Sequence, residues 1–163
     1  MPADEKPALP FGLSRETRIR IDKEGRFFHE DDLITHEALW RALAGWVDVD
    51  PESGRYILKN DINWAFVAVE DTPLVVKRLY DETILLTDGS EEPLDWASLS
   101  VSDDDVPYVR VRGGKLPARF SRQAAYTFLE KARTDEQGGL WHGEHRVPRG
   151  RPTPGSAAKA SGT

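Results

Sequence analysis

The stretch PYVRVRGGKLPARFSR, residues 107–122, holds Arg110, Arg112, Lys115, Arg119 and Arg122 around Gly113 and Gly114 with no acidic residue, in a chain whose formal net charge is -6. Guanidinium groups suit carboxylates and phosphates because their N–H donors form a planar fork, and adjacent glycines let backbone amides approach an anion unobstructed. The chemistry on offer is capture of a small anion, with Arg110, Arg112, Gly113 and Gly114 as ligand-binding residues. If Gly113 and Gly114 form a two-residue hairpin turn, Arg112 faces Lys115, Val111 faces Leu116, Arg110 faces Pro117 and Val109 faces Ala118. Like charges opposite each other call for water or an anion between them. Pro117 has no N–H to offer, which predicts a short or edge hairpin. Two readings stay open: a cationic face screened by water or by carboxylates such as Asp103, Asp104 and Asp105, and a cradle for a phosphate or carboxylate. A Walker loop is excluded, since Leu116 follows Lys115 and position 109 is Val109.

The remaining reactive residues assemble no recognisable chemistry. His29, His36, His142 and His145 lack the HExxH spacing, and on a single strand His142 and His145 point to opposite faces, so no metal is expected. Glu70 and Asp71 are neighbours that an extended strand turns apart, and the Thr72-Pro73 break after them reads as a turn at a domain boundary. The five tryptophans read mainly as core or interface aromatics. No nucleophile–base pair is identifiable, the chain has no cysteine, and neither a cofactor nor an enzymatic activity is expected.

The elements that position these residues are mostly strands. RIRID and RFFHE flank a Lys23-Glu24-Gly25 turn. A helix follows in HEALWRALAGW, with Thr35 as N-cap and Ala38, Leu39, Ala42, Leu43 and Trp46 at helical spacing. WVDVD, RYILK, WAFVAVED, LVVKRLY and TILLTDG predict an antiparallel meander, and residues 90–105 a loop with one short strand. The cationic segment then repeats the opening of the chain: Arg20 and Asp22 correspond to Arg110 and Arg112, and Thr35 to Ser121 at the start of a second helix. This predicts an α+β fold, mainly antiparallel β, with a duplicated strand, strand, helix, strand unit. The units are an N-terminal repeat subdomain at 15–72 and a C-terminal subdomain at 73–147. Residues 148–163 read as a disordered basic tail, rich in Pro, Gly, Ala and Ser. With the tail's cations set aside, the body is more acidic than the whole chain, which argues against a nucleic-acid partner or an anionic membrane surface. MPADEKPALP lacks the apolar run of a signal peptide, so the expected location is cytoplasmic.

FGL near the start, RIDKEGRFFHE, AVEDTPLVV, PYVRVRGGKLPARFSRQAAYTFLEKA and GLWHGEHRVP, in that order, resemble the uncharacterised bacterial family catalogued as domain of unknown function 1285. The resemblance spans roughly residues 11–148. It implies a duplicated α+β core, a C-terminal half superficially like pleckstrin-homology domains, and a nucleotide-like ligand between the halves. It also implies a noncatalytic part in ligand sensing or signal transduction. The ligand-binding residues expected from the hairpin and the repeat are Arg110, Arg112, Gly113 and Gly114, with Arg20 and Asp22 from the first repeat. The alternative is an adaptor that binds a protein partner and no small molecule.

Overall fold

Residues 16–152 are described by the structure, a computed structural model. Strand β1 (Glu16–Ile21) pairs antiparallel with β2 (Phe27–His29), and Ile21 lies opposite Phe27. Both are buried. Between them Asp22 Oδ1 accepts the backbone N–H groups of Glu24 and Arg26 at 3.0 and 2.8 Å, and Gly25 takes φ +83°. β3 (Asp32–Leu33) adds an edge strand, and helix α1 (Glu37–Trp46) follows. Its N-cap is His36, whose Nδ1 accepts the Leu39 N–H at 3.2 Å. The helix therefore starts one residue later than a Thr35 cap would place it. The reason is that His36 holds the extended backbone, at φ -68° and ψ 111°, from which an N-cap side chain reaches the third helical N–H.

α1 runs without a break into β4 (Val47–Val49), and β5 (Tyr56–Lys59) and β6 (Trp64–Val69) complete a meander. β6 then lies parallel to β1, which gives a six-stranded sheet in the order β3-β2-β1-β6-β5-β4. The second sheet comprises β7 (Leu74–Tyr80), β8 (Thr83–Leu86), β9 (Glu91–Pro93), β10 (Ser100–Val101), β11 (Pro107–Val111) and β12 (Leu116–Phe120), with a 3-10 turn at Trp96–Ser98. Its order is β10-β11-β12-β7-β8-β9, and here too one pair, β12 with β7, is parallel. Each of these two sheets of the mainly antiparallel fold thus holds one parallel join, and the expected meander breaks between β6 and β7, which belong to different sheets.

The hairpin β11–β12 keeps the register read from Gly113 and Gly114, with Val111 opposite Leu116 and Arg110 opposite Pro117. It sits in the middle of its sheet, not at an edge. Pro117 is tolerated there because the Arg110 N–H turns away from it, to Ser98 Oγ at 2.9 Å. The Arg110–Pro117 pair is then one across which no N–H is needed. All five residues of β11 are buried, so the face that carries Arg110 is covered by the protein rather than open to water.

Helix α2 (Arg122–Leu129) begins at Ser121 as expected, with Oγ accepting the Ala124 N–H at 3.1 Å. β13 (Ala132–Thr134), β14 (Leu140–His142) and β15 (His145–Val147) form a separate three-stranded antiparallel sheet. A tight turn at Gly143 and Glu144 replaces the single strand expected there. His142 and His145 consequently pair across a hairpin and share a face, the reverse of the sequence expectation. Both reach Trp96: His145 stacks on it at 4.1 Å, and His142 lies 5.2 Å away.

The fold is mixed α and β, mostly β. Hairpin, helix and three-stranded meander occur in that order twice, in residues 16–69 and 107–147, and one apolar core joins the sheets through Leu43, Val47, Leu58, Leu74, Val76, Val109 and Phe120. No helix among the described residues is long and apolar enough to cross a membrane. The expected disordered tail was placed from residue 148 onward, and its first residues are ordered. Residues 148–151 are docked, with an isolated parallel bridge between Val101 and Arg149, because the arginines find carboxylates on the second sheet. Residues 153–163 lie outside the described residues.

Candidate functional site

The cationic hairpin turns Arg110, Arg112 and Arg119 toward the protein itself, while Lys115 is exposed. Arg112 leaves the strand at φ 54°, ahead of Gly113 and Gly114 at 70° and 87°. Its Nη2 donates to Asp88 Oδ2 at 2.8 Å and to the Ala44 carbonyl at 3.0 Å, while its backbone N–H meets the Glu92 carboxylate at 3.1 Å. Ala44 lies in the last turn of α1, which carries no basic residue of its own. A cation brought from the second sheet therefore answers the unsatisfied carbonyl end of a helix in the first half. Burial works against the Asp88 carboxylate, yet hydrogen bonds from Ser90 and Arg112 outweigh it and hold its pKa below the ordinary range.

Arg110 is buried, and its guanidinium interacts electrostatically with Tyr56 of β5, across the boundary between the halves. Burial lowers the Arg110 pKa and Tyr56 opposes that shift, while burial pushes the Tyr56 phenol up to about 12. Asp71, in the link from β6 to β7, accepts the Tyr108 hydroxyl at 2.6 Å and Arg119 Nη1 at 2.9 Å. Burial and that hydrogen bond push Tyr108 up to about 12. Both phenols are protonated at neutral pH, so Tyr108 is a fixed donor to a carboxylate at the junction.

The first-repeat residues are engaged locally. Arg20 lies over the Phe28 ring at 4.1 Å, and Asp22 Oδ2 accepts Arg26 Nε at 2.7 Å in addition to its two turn amides. Gly113 faces open space. The six expected ligand-binding residues thus lie on two hairpins, and the polar groups of Asp22 and Arg112 are occupied by the chain.

A cleft of about 410 Å³ opens where the β1–β2 turn and α1 meet β7 and β8. Phe27, Leu33, Ile34 and Trp40 supply its apolar wall, Arg26 and Lys77 its cations, and Glu24 its acid. Lys77 is exposed and makes no ion pair among the described residues. The close approach that shapes the cleft depends on Gly25: a Cβ there would meet Val75 Cγ2 and Thr87 Cγ2 at 3.1 Å. Sequence reasoning treated Gly25 as a turn residue only, read Trp40 with the other tryptophans as mainly core or interface aromatics, and did not single out Lys77 for a ligand. Trp40 lies outside the helical stripe read from Ala38, Leu39, Ala42, Leu43 and Trp46, and Lys77 sits in an apolar strand with no local cue.

No protein-family model and no curated protein matches the sequence. Among solved structures, a DUF1285 family protein from Silicibacter pomeroyi DSS-3 superposes with a TM-score of 0.63 at 18% identity, covering 90% of this chain and 84% of that one. A second, from Shewanella baltica OS155, gives 0.58 at 18% identity, covering 72% of this chain and 94% of its own. The fold is that of the DUF1285 proteins. The shared fold agrees with the resemblance read from the sequence motifs.

Proposed function

We propose that the protein is a noncatalytic sensing module of signal transduction that holds a small anionic, nucleotide-like ligand between its two halves. The observation that carries this reading is the cleft at Phe27, Ile34 and Trp40, apolar along one side and lined by Arg26 and Lys77. A flat base would lie against the apolar wall and a phosphate would meet the cations, the division of labour usual in small-molecule sites. Arg110 and Arg112 do not line this cleft, and in this reading they join the halves that form it. The recurrence of hairpin, helix and meander supports a duplication, with the hairpin β11–β12 as counterpart of β1–β2. Aligning the caps pairs His36 with Ser121 and Leu43 with Phe128, both buried. The second half, in which α2 packs against β7, is the part likened to pleckstrin-homology domains.

The test is a thermal-shift and calorimetric titration with AMP, GMP and their cyclic forms. A ligand that binds only the folded protein raises the melting temperature. The expected result is a rise with at least one of them that Trp40→Ala and Lys77→Ala each abolish, with the unliganded melting temperature little changed in the exposed-site variant Lys77→Ala. A rise unaffected by both substitutions, or none with any of these ligands, overturns the reading.

A further inference from the structure

The second sheet ends at β10, beyond which it has no further strand. The chain returns to that edge after β15. The Val101 N–H donates to the Pro148 carbonyl and the Gly150 N–H donates to the Val101 carbonyl, each at 3.0 Å. The two residues flanking Gly150 are arginines, and both meet acids. Arg149 Nη1 donates to Asp105 Oδ1 at 2.8 Å and to the Ser102 carbonyl at 3.0 Å. Arg151 Nη1 donates to Tyr108 Oη at 2.8 Å and lies 3.6 Å from Asp71 Oδ1, and its Nη2 is 3.4 Å from the Asp104 carboxylate. The acceptors come from three separate places: the β6–β7 link, the β10–β11 turn and β11 itself. Ser102 braces the turn, with Oγ accepting the Val106 N–H at 3.1 Å and donating to Asp104.

An exposed strand edge binds any extended backbone, and pockets for alternate side chains make it selective. Here the selective element is acidic, placed to read two arginines two residues apart, which share a face of an extended segment. We propose that this edge is a docking site for an extended Arg-x-Arg segment of a partner protein, and that residues 148–151 of the chain itself are its resident occupant. The side chains of Arg149 and Arg151 are 42% and 53% exposed. Exposed ion pairs of this kind hold weakly, so the resident segment is exchangeable. A partner displaces it by outcompeting a tethered competitor whose effective concentration is on the order of millimolar. None of the acidic residues lines the cleft, so this site stands or falls apart from the ligand reading.

The experiment titrates a fluorescein-labelled peptide VPRGRPTP against full-length protein and follows polarisation, with circular-dichroism melting as the fold control. The full-length Arg149→Ala/Arg151→Ala variant, whose resident segment is weakened, is expected to bind the peptide about tenfold or more tightly than wild type. That gain should vanish when Asp104→Asn/Asp105→Asn is added, or when both arginines of the peptide are alanine. Equal affinity in wild type and variant, or a gain that survives loss of the acids, overturns the proposal. So does wild-type protein that elutes as a dimer through exchanged segments. If the double variant does not fold, amide spectra of wild type decide: shifts at Val101, Ser102 and Gly150 on adding excess peptide support exchange, and their absence refutes it.

Discussion

Arg112 takes its charge across the boundary between the halves because α1 ends without a cation of its own and Asp88 stands beside that end. Arg112→Ala leaves the Ala44 carbonyl and the Asp88 carboxylate without this donor, and is expected to cost about 1–3 kcal/mol, read as a lower midpoint in urea unfolding. The sign of the pH effect follows from Asp88. Its folded pKa lies below the ordinary carboxylate value of 3.8, so its contribution is complete above that pH and is lost as pH falls through the folded value. Asp88→Asn should therefore flatten the loss of stability as pH falls below about 4 relative to wild type. Gly25 answers a different demand, since a side chain there is strained by φ +83° and meets Val75 and Thr87 at 3.1 Å. Gly25→Ala is expected to cost about 1–3 kcal/mol, and a smaller effect in thermal unfolding would mean that the β1–β2 turn and β7 can move apart.

At the scale of elements, the three-stranded sheet β13–β15 is held through rings. His142 stacks on Phe128 at 4.5 Å and on the same side of its hairpin as His145. Burial, then Lys131 and His145, hold the His142 pKa below 6.5. A depressed folded value means stability present above about pH 6.5 and lost as pH falls toward the folded pKa. His142→Phe should remove that slope, visible as a melting temperature less dependent on pH between 7 and 5. What was legible in the sequence at this scale was local. The register of β11–β12 could be counted outward from Gly113 and Gly114, and Ser121 announces α2. The parallel pairs β1–β6 and β12–β7 were not legible, because their partners are remote and no turn signal links them. The same holds for Asp71. Its hydrogen-bond partners Tyr108 and Arg119 lie 37 and 48 residues away, so Glu70 and Asp71 read as a mere turn. Arg110 and Arg112 were visible as a concentration of charge, but the chain's own groups that engage them, Tyr56, Asp88 and Ala44, are strangers in sequence.

The whole molecule is one core closed by contacts between distant segments, and its end is part of that closure. Truncation after Val147 removes the two backbone hydrogen bonds on Val101. It is expected to cost about 1–3 kcal/mol, whereas truncation after Pro152 removes none of the described contacts; chemical denaturation of the two truncated chains makes the comparison. The two parallel pairings also set a timetable for synthesis. β6 lies parallel to β1, the first described strand, so the first sheet cannot close until residue 69 has emerged. β7 is worse placed. Leu74, Val75 and Val76 are 0–2% exposed in the finished protein, yet the parallel partner that covers one edge of β7 is residues 116–120. Until that strand leaves the ribosome, an apolar edge with unpaired amides stands open, the state in which nascent chains pair with each other. Slow translation between β9 and β12 would lengthen that exposure, and chaperone demand should peak there.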